Sequence, residues 1–470
     1  MLFGDGKVKE KKTLSSFVYE NLKEQIVTGQ IEYGGTLPSM RRLSQIYDVG
    51  IRTIKTVLRQ LSEERLIQTG ERRKTVVIYK TPFMNQQHTT AIQMILRQRS
   101  SIIAVYETME LLMPDILTFC AQFCSVIELE HYEDAVKWSR RPCGTAGSWR
   151  IFSLIFHDVM RSSGNILFNN LYATLELYAQ VPFLLEYQCF ITTYPPYFKN
   201  RDIGWILDCL RNNNRYTLHE NFSVYYHSVN LSMKKSLDNL CDKFPEVTDD
   251  LKNRFDWSTN WERNLYYKQI AHDLIQKIGT GIYESGSFLS SEAVMAGQYQ
   301  VSVHTVRKAL SYLNELGFCK TINGRGTKVI MPNNYTYGYR FNKNEMLLYL
   351  SALQLMIIAI YPAALLVFDF LDEEVQEQLY IRFSRPNDIY LADILDCIIQ
   401  RMPLYPLKVI LRETNKLINW GFYFYFYSND HKSIDILNLI SLKAFFCLKN
   451  GDRHGFADRL FESYCHILYS

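Results

Sequence analysis

Ser302, His304, Thr305, Arg307 and Lys308 fall within seven consecutive residues, and Arg325 and Lys328 follow in a stretch punctuated by Gly324 and Gly326. Hydroxyls, an imidazole, guanidinium and ammonium groups share one chemistry. They donate hydrogen bonds and positive charge to a polyanion, to phosphate oxygens for grip and to base edges for discrimination. A second, altered set lies 252 positions earlier: Arg41, Arg52, Thr53 and Lys55, then Arg72, Arg73 and Lys74 where the later stretch has its glycines. These two sets are the candidate DNA-contacting residues, and double-stranded DNA is the partner they imply.

Such groups work only if a scaffold holds them on one face, and the sequence supplies that scaffold twice. Residues 18–77 and 270–329 superpose without a gap, Leu37 falling on Leu289, Thr53 on Thr305 and Leu61 on Leu313. Each repeat begins with an amphipathic helix, carried by Val18, Leu22 and Ile26 or by Ile270, Leu274 and Ile278. After a glycine turn, "LPS" at 37–39 or "LSS" at 289–291 provides a serine suited to capping a short second helix. A third helix then turns Ile54, Val57, Leu58 and Leu61, or Val306, Ala309, Leu310 and Leu313, inward at i, i+3, i+4, i+7 spacing. Its outward face carries Arg52, Lys55, Thr56 and Arg59 in the first copy and His304, Arg307, Lys308 and Ser311 in the second. A β-rich hairpin closes each repeat, "TGERRKTVVIY" or "TINGRGTKVIM", the second placing Arg325 at its tip. Helix, helix–turn–helix and two-stranded wing together describe a winged helix-turn-helix.

Each unit resembles the GntR family of bacterial transcription regulators, whose pattern runs from a glycine–leucine–proline–serine–x–arginine start to a glycine–arginine–glycine wing. The first copy keeps "LPSMR", Thr53 and a cation at Lys55, with Gly50 and Ile51 replacing the family's serine–arginine pair. The second keeps Ser302, Thr305, Arg307 and the "GRGT" wing, with Ala293 and Val303 at two arginine positions. The resemblance implies a cytoplasmic, sequence-specific regulator, more often a repressor. Members pair two chains on a palindrome; here both recognition helices lie on one chain, which implies a monomeric pseudo-dimer or a homodimer. An asymmetric operator with half-sites about one helical turn apart would follow.

The remaining chain sets the bounds. The 470 residues carry a formal net charge of only +4. Residues 15–80 nevertheless hold eleven Lys and Arg against seven acids, and 264–330 seven against four, so the charge is concentrated in the two repeats. The ten cysteines are scattered without a framework, as expected of buried thiols in a reducing cytoplasm. Cys120 and Cys124, four apart, could ligate a metal, but no second pair completes such a site. "MLLYLSALQLMIIAIYPAALLVF" at 346–368 is uncharged and long enough to span a bilayer. Its counterpart in the first half contains Glu107, Glu110 and Asp115, and the run is interrupted by Pro362, so a buried core helix is expected.

The expected architecture is mainly α, with domains at 1–82 (winged helix), 83–255 (helical bundle), 256–331 (winged helix) and 332–470 (helical bundle). Pro114 and Pro362 mark corresponding points of the two bundles. The first bundle resembles the FadR-type ligand-binding domain through "IFSLIFHDVMRSSGNILFNNL" at 151–171. That likeness implies a small effector near His157, but Ser153 stands where a metal-binding aspartate is usual, and no metal or other cofactor is expected. In the second bundle Asp393 is present at that place and Cys397 replaces the histidine. No nucleophile elbow, P-loop, HExxH or paired-carboxylate signature occurs, so the chain is not expected to be an enzyme. Two functions remain: a DNA-binding regulator gated by an effector, and an assembly protein whose winged helices dock other proteins.

Overall fold

The protein is described from a computed structural model. It describes residues 15, 18–19, 22–23, 26, 34–47, 49–69, 74–79, 92–93, 95–139, 146–179, 204–250, 255–257, 266–279, 282–330, 343–383, 389–418 and 432–469. The chain divides into two compact units. One comprises Met1–Glu110, Leu117–Ser163 and Asn169–Arg254; the other comprises Leu111–Ile116, Gly164–Phe168 and Phe255–Ser470.

In the first repeat the i, i+4, i+8 positions Val18, Leu22 and Ile26 are helical and fully buried. They close over α1 (Met40–Ile46) and α2 (Ile51–Glu63), whose Ile54, Val57, Leu58 and Leu61 complete the core with Leu37, Leu43 and Val77. A short antiparallel pair follows, β1 (Ile67–Gln68) and β2 (Val76–Val77).

The first helical body contains α3 (Arg99–Ala121), α4 (Tyr132–Trp138), α5 (Ala146–Ser162), α6 (Phe168–Tyr178), α7 (Gly204–Asn212) and α8 (Arg215–Lys243). Its core is aromatic. Phe156 meets Tyr172, Phe222 and Tyr225 edge-on at ring distances of 5.8–6.2 Å, with Phe152 and Tyr226 beside it. Edge-to-face contacts of this kind add to the area buried, so the Tyr/Phe stripes of the sequence serve packing here.

The second repeat consists of α9 (Tyr266–Gly279), α10 (Glu292–Tyr299), α11 (Val303–Glu315), β3 (Cys319–Ile322) and β4 (Gly326–Val329). Its described turns and loops repeat backbone bonds of the first repeat at the 252-residue offset, although its wing ladder is longer, four residue pairs against two. Gly34 N donates to Val77 O and Gly286 N to Val329 O; Leu37 N donates to Thr75 O and Leu289 N to Thr327 O. Leu66 N reaches Leu61 O as Phe318 N reaches Leu313 O, and Val49 N reaches Ser44 O as Val301 N reaches Ala296 O. Even the isolated bridge Thr36–Val76 recurs as Phe288–Lys328. The helix–turn–helix and wing are thus one structural unit used twice.

The second helical body contains α12 (Lys343–Val367), α13 (Glu373–Phe383), α14 (Tyr390–Arg401), α15 (Tyr405–Ile418), α16 (Lys432–Lys449) and α17 (Arg453–Tyr469). Met346–Phe370 is long and apolar enough to cross a membrane, with a mean hydropathy of 2.1. Yet Leu353, Met356, Ile360, Ala363, Ala364 and Val367 are buried against α15 and α17, as in a core helix. The expectation that Pro362 interrupts this run is corrected, because α12 continues through Pro362 as α3 continues through Pro114. A proline inside a helix removes one backbone donor, and packing around a long buried helix outweighs that loss. The described architecture is mainly α, with strands only in the two wings.

Candidate nucleic-acid interface

α11 is held by its core stripe, which leaves the opposite face to solvent. Val306, Ala309, Leu310 and Leu313 are buried, and His304, Arg307 and Lys308 are exposed. Its N-terminus is closed by Ser302, whose Oγ accepts from Thr305 N at 3.2 Å and lies 2.9 Å from the Thr305 hydroxyl. α2 lacks this device, since Gly50 at the same place offers no side chain. Removing the Ser302 hydroxyl as Ser302→Ala is therefore expected to destabilise the second winged helix by about 1 kcal/mol, and Gly50→Ser to stabilise the first by only a few tenths. Hydrogen exchange of the Thr305 and Thr53 amides measures both; equal protection in the variants and the parent would contradict it.

In the first repeat Arg41 on α1, Arg52 and Lys55 on α2, and Lys74 just before β2 are all exposed. Thr53 is 4% exposed, on the same face as Val57 and Leu61 at i+4 and i+8, so its side chain packs with the core of the repeat. Its counterpart Thr305 is half-buried and engaged with Ser302. Arg72 and Arg73 lie outside the described residues.

The second wing is a four-residue-per-strand hairpin in which Ile322 pairs with Gly326. Gly324 and Gly326 have φ of +73° and +106°, a backbone that side chains rarely adopt. The two glycines thus let Arg325 sit exposed in the turn, its amide donating to Ile322 O at 3.0 Å. Lys328, one residue inside β4, is half-buried.

One participant was absent from the expected set. Arg307 Nε donates to Glu292 Oε2 at 2.6 Å, with the two side chains 64% and 36% exposed. Glu292 opens α10, which Ser291 caps by accepting from Val294 N. The repeat held the signal: Glu292 falls on Met40 of the first copy, an acid in a position otherwise apolar.

In the first helical body, His157 Nδ1 lies 2.7 Å from Asn169 Oδ1 and Nε2 3.1 Å from Glu176 Oε2, with the Tyr172 ring beside it. Glu176 Oε1 and the hydroxyls of Tyr172 and Tyr226 are buried without a well-formed hydrogen bond. Burial first, and the Glu176 charge second, hold both phenols far above their usual ionisation range. Glu130, His131 and Asp158 offer three ligand atoms within 4.8 Å of one another. Asp158, however, is already engaged: Oδ2 accepts from His131 N at 2.9 Å and Oδ1 from Arg161 Nη1 at 2.9 Å. Burial pushes the Cys120 thiol up to about 12 and that of Cys124 to about 11. In the second body Asp393 accepts from Arg382 at 3.3 Å, and Cys397 is buried.

Comparison with known proteins matches the two repeats. Residues 14–77 and 266–329 each match the family of bacterial regulatory proteins called the gntR family, at the same 252-residue offset. An uncharacterized HTH-type transcriptional regulator of Rhizobium meliloti (strain 1021) is 32% identical over 71 residues, 15% of this chain and 29% of that protein. The chain therefore spans under a third of that relative's length. Among solved structures, Streptococcus agalactiae GntR is 15% identical over 43% of this chain and all of its own, with a TM-score of 0.22. E. coli McbR/YncC is 15% identical over 49% of this chain and 99% of its own, with a TM-score of 0.19. Likenesses that distant carry no argument about the bodies, and the FadR-type resemblance of the first body finds no support among them.

Proposed function

We propose that this chain, which carries two gntR-family winged helix-turn-helix domains, is a cytoplasmic regulator of transcription that binds double-stranded DNA with both, as a pseudo-dimer within one polypeptide. The observation that carries the reading is the recurrence of the scaffold's described turn and loop hydrogen bonds at matching positions of the two repeats, with a cationic face kept outward each time. A single charged helix beside a hairpin has many uses. Two copies that preserve fold and charge while changing the individual residues fit a divided reading task on two unlike half-sites. Repression is the commoner mode in that family, and a small effector held in the first body near His157, Glu176, Tyr172 and Tyr226 would gate it. Those groups support the gate because they are polar, buried and close enough to interact with one another inside the aromatic core.

Sequencing the genomic fragments that the purified chain retains tests this reading. The expected result is an asymmetric site with two half-sites about one helical turn apart, protected by a single chain. Arg307→Ala and Arg41→Ala should each weaken that complex by roughly 1–3 kcal/mol. A perfect palindrome bound by two chains would overturn the pseudo-dimer. If both variants bind DNA as the parent does, the winged helices are docking modules for proteins instead.

A further inference from the structure

The two heads differ in one respect that bears on what each can recognise. In the second, the Arg307 Nε–H is committed to Glu292 at 2.6 Å. A guanidinium has five N–H donors in one plane, so tying down the Nε–H still leaves N–H groups on both terminal nitrogens, and fixes the plane they lie in. Glu292 is itself fixed, in the first turn of a helix whose Ser291 cap is made, where a carboxylate is favoured by the helix dipole. In the first head the same two places hold Met40 and Lys55, both exposed. A lysine there is a mobile point charge without a planar fork, and a methionine gives it nothing to lean on.

We infer that Glu292 is a positioning residue that converts Arg307 into a guanine-reading fork, so that the second head discriminates sequence while the first mainly grips backbone. The inference rests on the DNA-binding reading above. Two physical effects act together. The carboxylate repels phosphates, which turns Arg307 away from the backbone, and its bond to Nε leaves terminal N–H donors whose separation matches O6 and N7 of guanine in the major groove. The preferred duplex then has one guanine fixed in one half-site and no equivalent requirement in the other.

The test uses the full-length chain and a library of duplexes with a randomised core of about two helical turns, selected at low salt and sequenced. The parent should enrich one guanine in one half-site. Glu292→Gln should leave total duplex binding within a few-fold of the parent, or tighten it, while preference for that guanine drops at least about fivefold. A merely structural role for the pair would instead lower all binding evenly. The reciprocal change, Met40→Glu with Lys55→Arg, should create a guanine preference in the other half-site, and it decides the matter even if Glu292→Gln fails to fold. A Glu292→Gln protein that selects the same guanine as strongly as the parent, or a reciprocal variant that gains no preference, overturns the role of Glu292 alone. A parent that retains no duplex overturns the DNA-binding reading and this inference with it.

Discussion

Raising the salt concentration from about 50 to about 200 mM should lower the affinity of the full-length chain for its preferred duplex by roughly a thousandfold. The expectation comes from counting charge that is free to meet phosphate. Arg41, Arg52, Lys55 and Lys74 are exposed on the first head; Arg307, Lys308 and Arg325 are exposed on the second. Glu292 neutralises Arg307 in the free protein and directs it elsewhere, which leaves about six cations for the backbone. Each neutralised phosphate releases condensed counterions, and about six of them give a log–log slope of roughly −5. Fluorescence anisotropy of a labelled duplex at several salt concentrations measures this slope. The formal net charge of +4 would not by itself predict it; the concentration of cations on two outward faces does. A slope shallower than about −2 would mean that the second head alone, or neither, touches DNA, and would favour the protein-docking reading.

The residues that make this count possible are legible in the sequence, because a repeat is a strong constraint. Once Leu61 falls on Leu313 and Thr53 on Thr305, any helix boundary chosen for one copy is tested by the other. The α2 and α11 spans, Ile51–Glu63 and Val303–Glu315, accordingly coincide at the same offset. Residue type misleads where angular position is left out. Thr53 has a hydroxyl suited to phosphate, but its place four residues before Val57 and eight before Leu61 puts it on the buried face. Glu292 is hidden for the opposite reason. It reads as an ordinary acid in the first turn of a helix, and its contact with Arg307, fifteen residues on, exists only because α10 and α11 pack together. The bodies are less legible. Long aromatic helices announce a core, but a pattern of apolar spacing does not say which polar atoms come together inside it. The buried polar cluster of Glu176, Tyr172 and Tyr226 emerges only when the helices are placed side by side.

Because the heads are equivalent in fold and unequal in surface, one core position should separate their contributions. Leu61 and Leu313 are each fully buried at the same place in the two copies. Truncating either to Ala removes most of a side chain from a close-packed site and leaves a cavity, at a cost of about 2–5 kcal/mol. In a chain made of more than one unit that cost does not register as one shift in a global melting curve. It appears instead as faster hydrogen exchange confined to the amides of the damaged head. Leu313→Ala should expose α11 and β3–β4 while leaving α2 protected, and Leu61→Ala should do the converse. On DNA the consequences then diverge. Leu313→Ala removes the fork at Arg307, so protection of the guanine-bearing half-site fades and selection loses its sequence preference. Leu61→Ala removes Arg52 and Lys55 from the backbone, so affinity drops and the salt slope flattens while the guanine preference persists. If the two variants instead erase the same half-site, or alter selectivity and salt slope to the same degree, the heads are not dividing the work between reading and gripping.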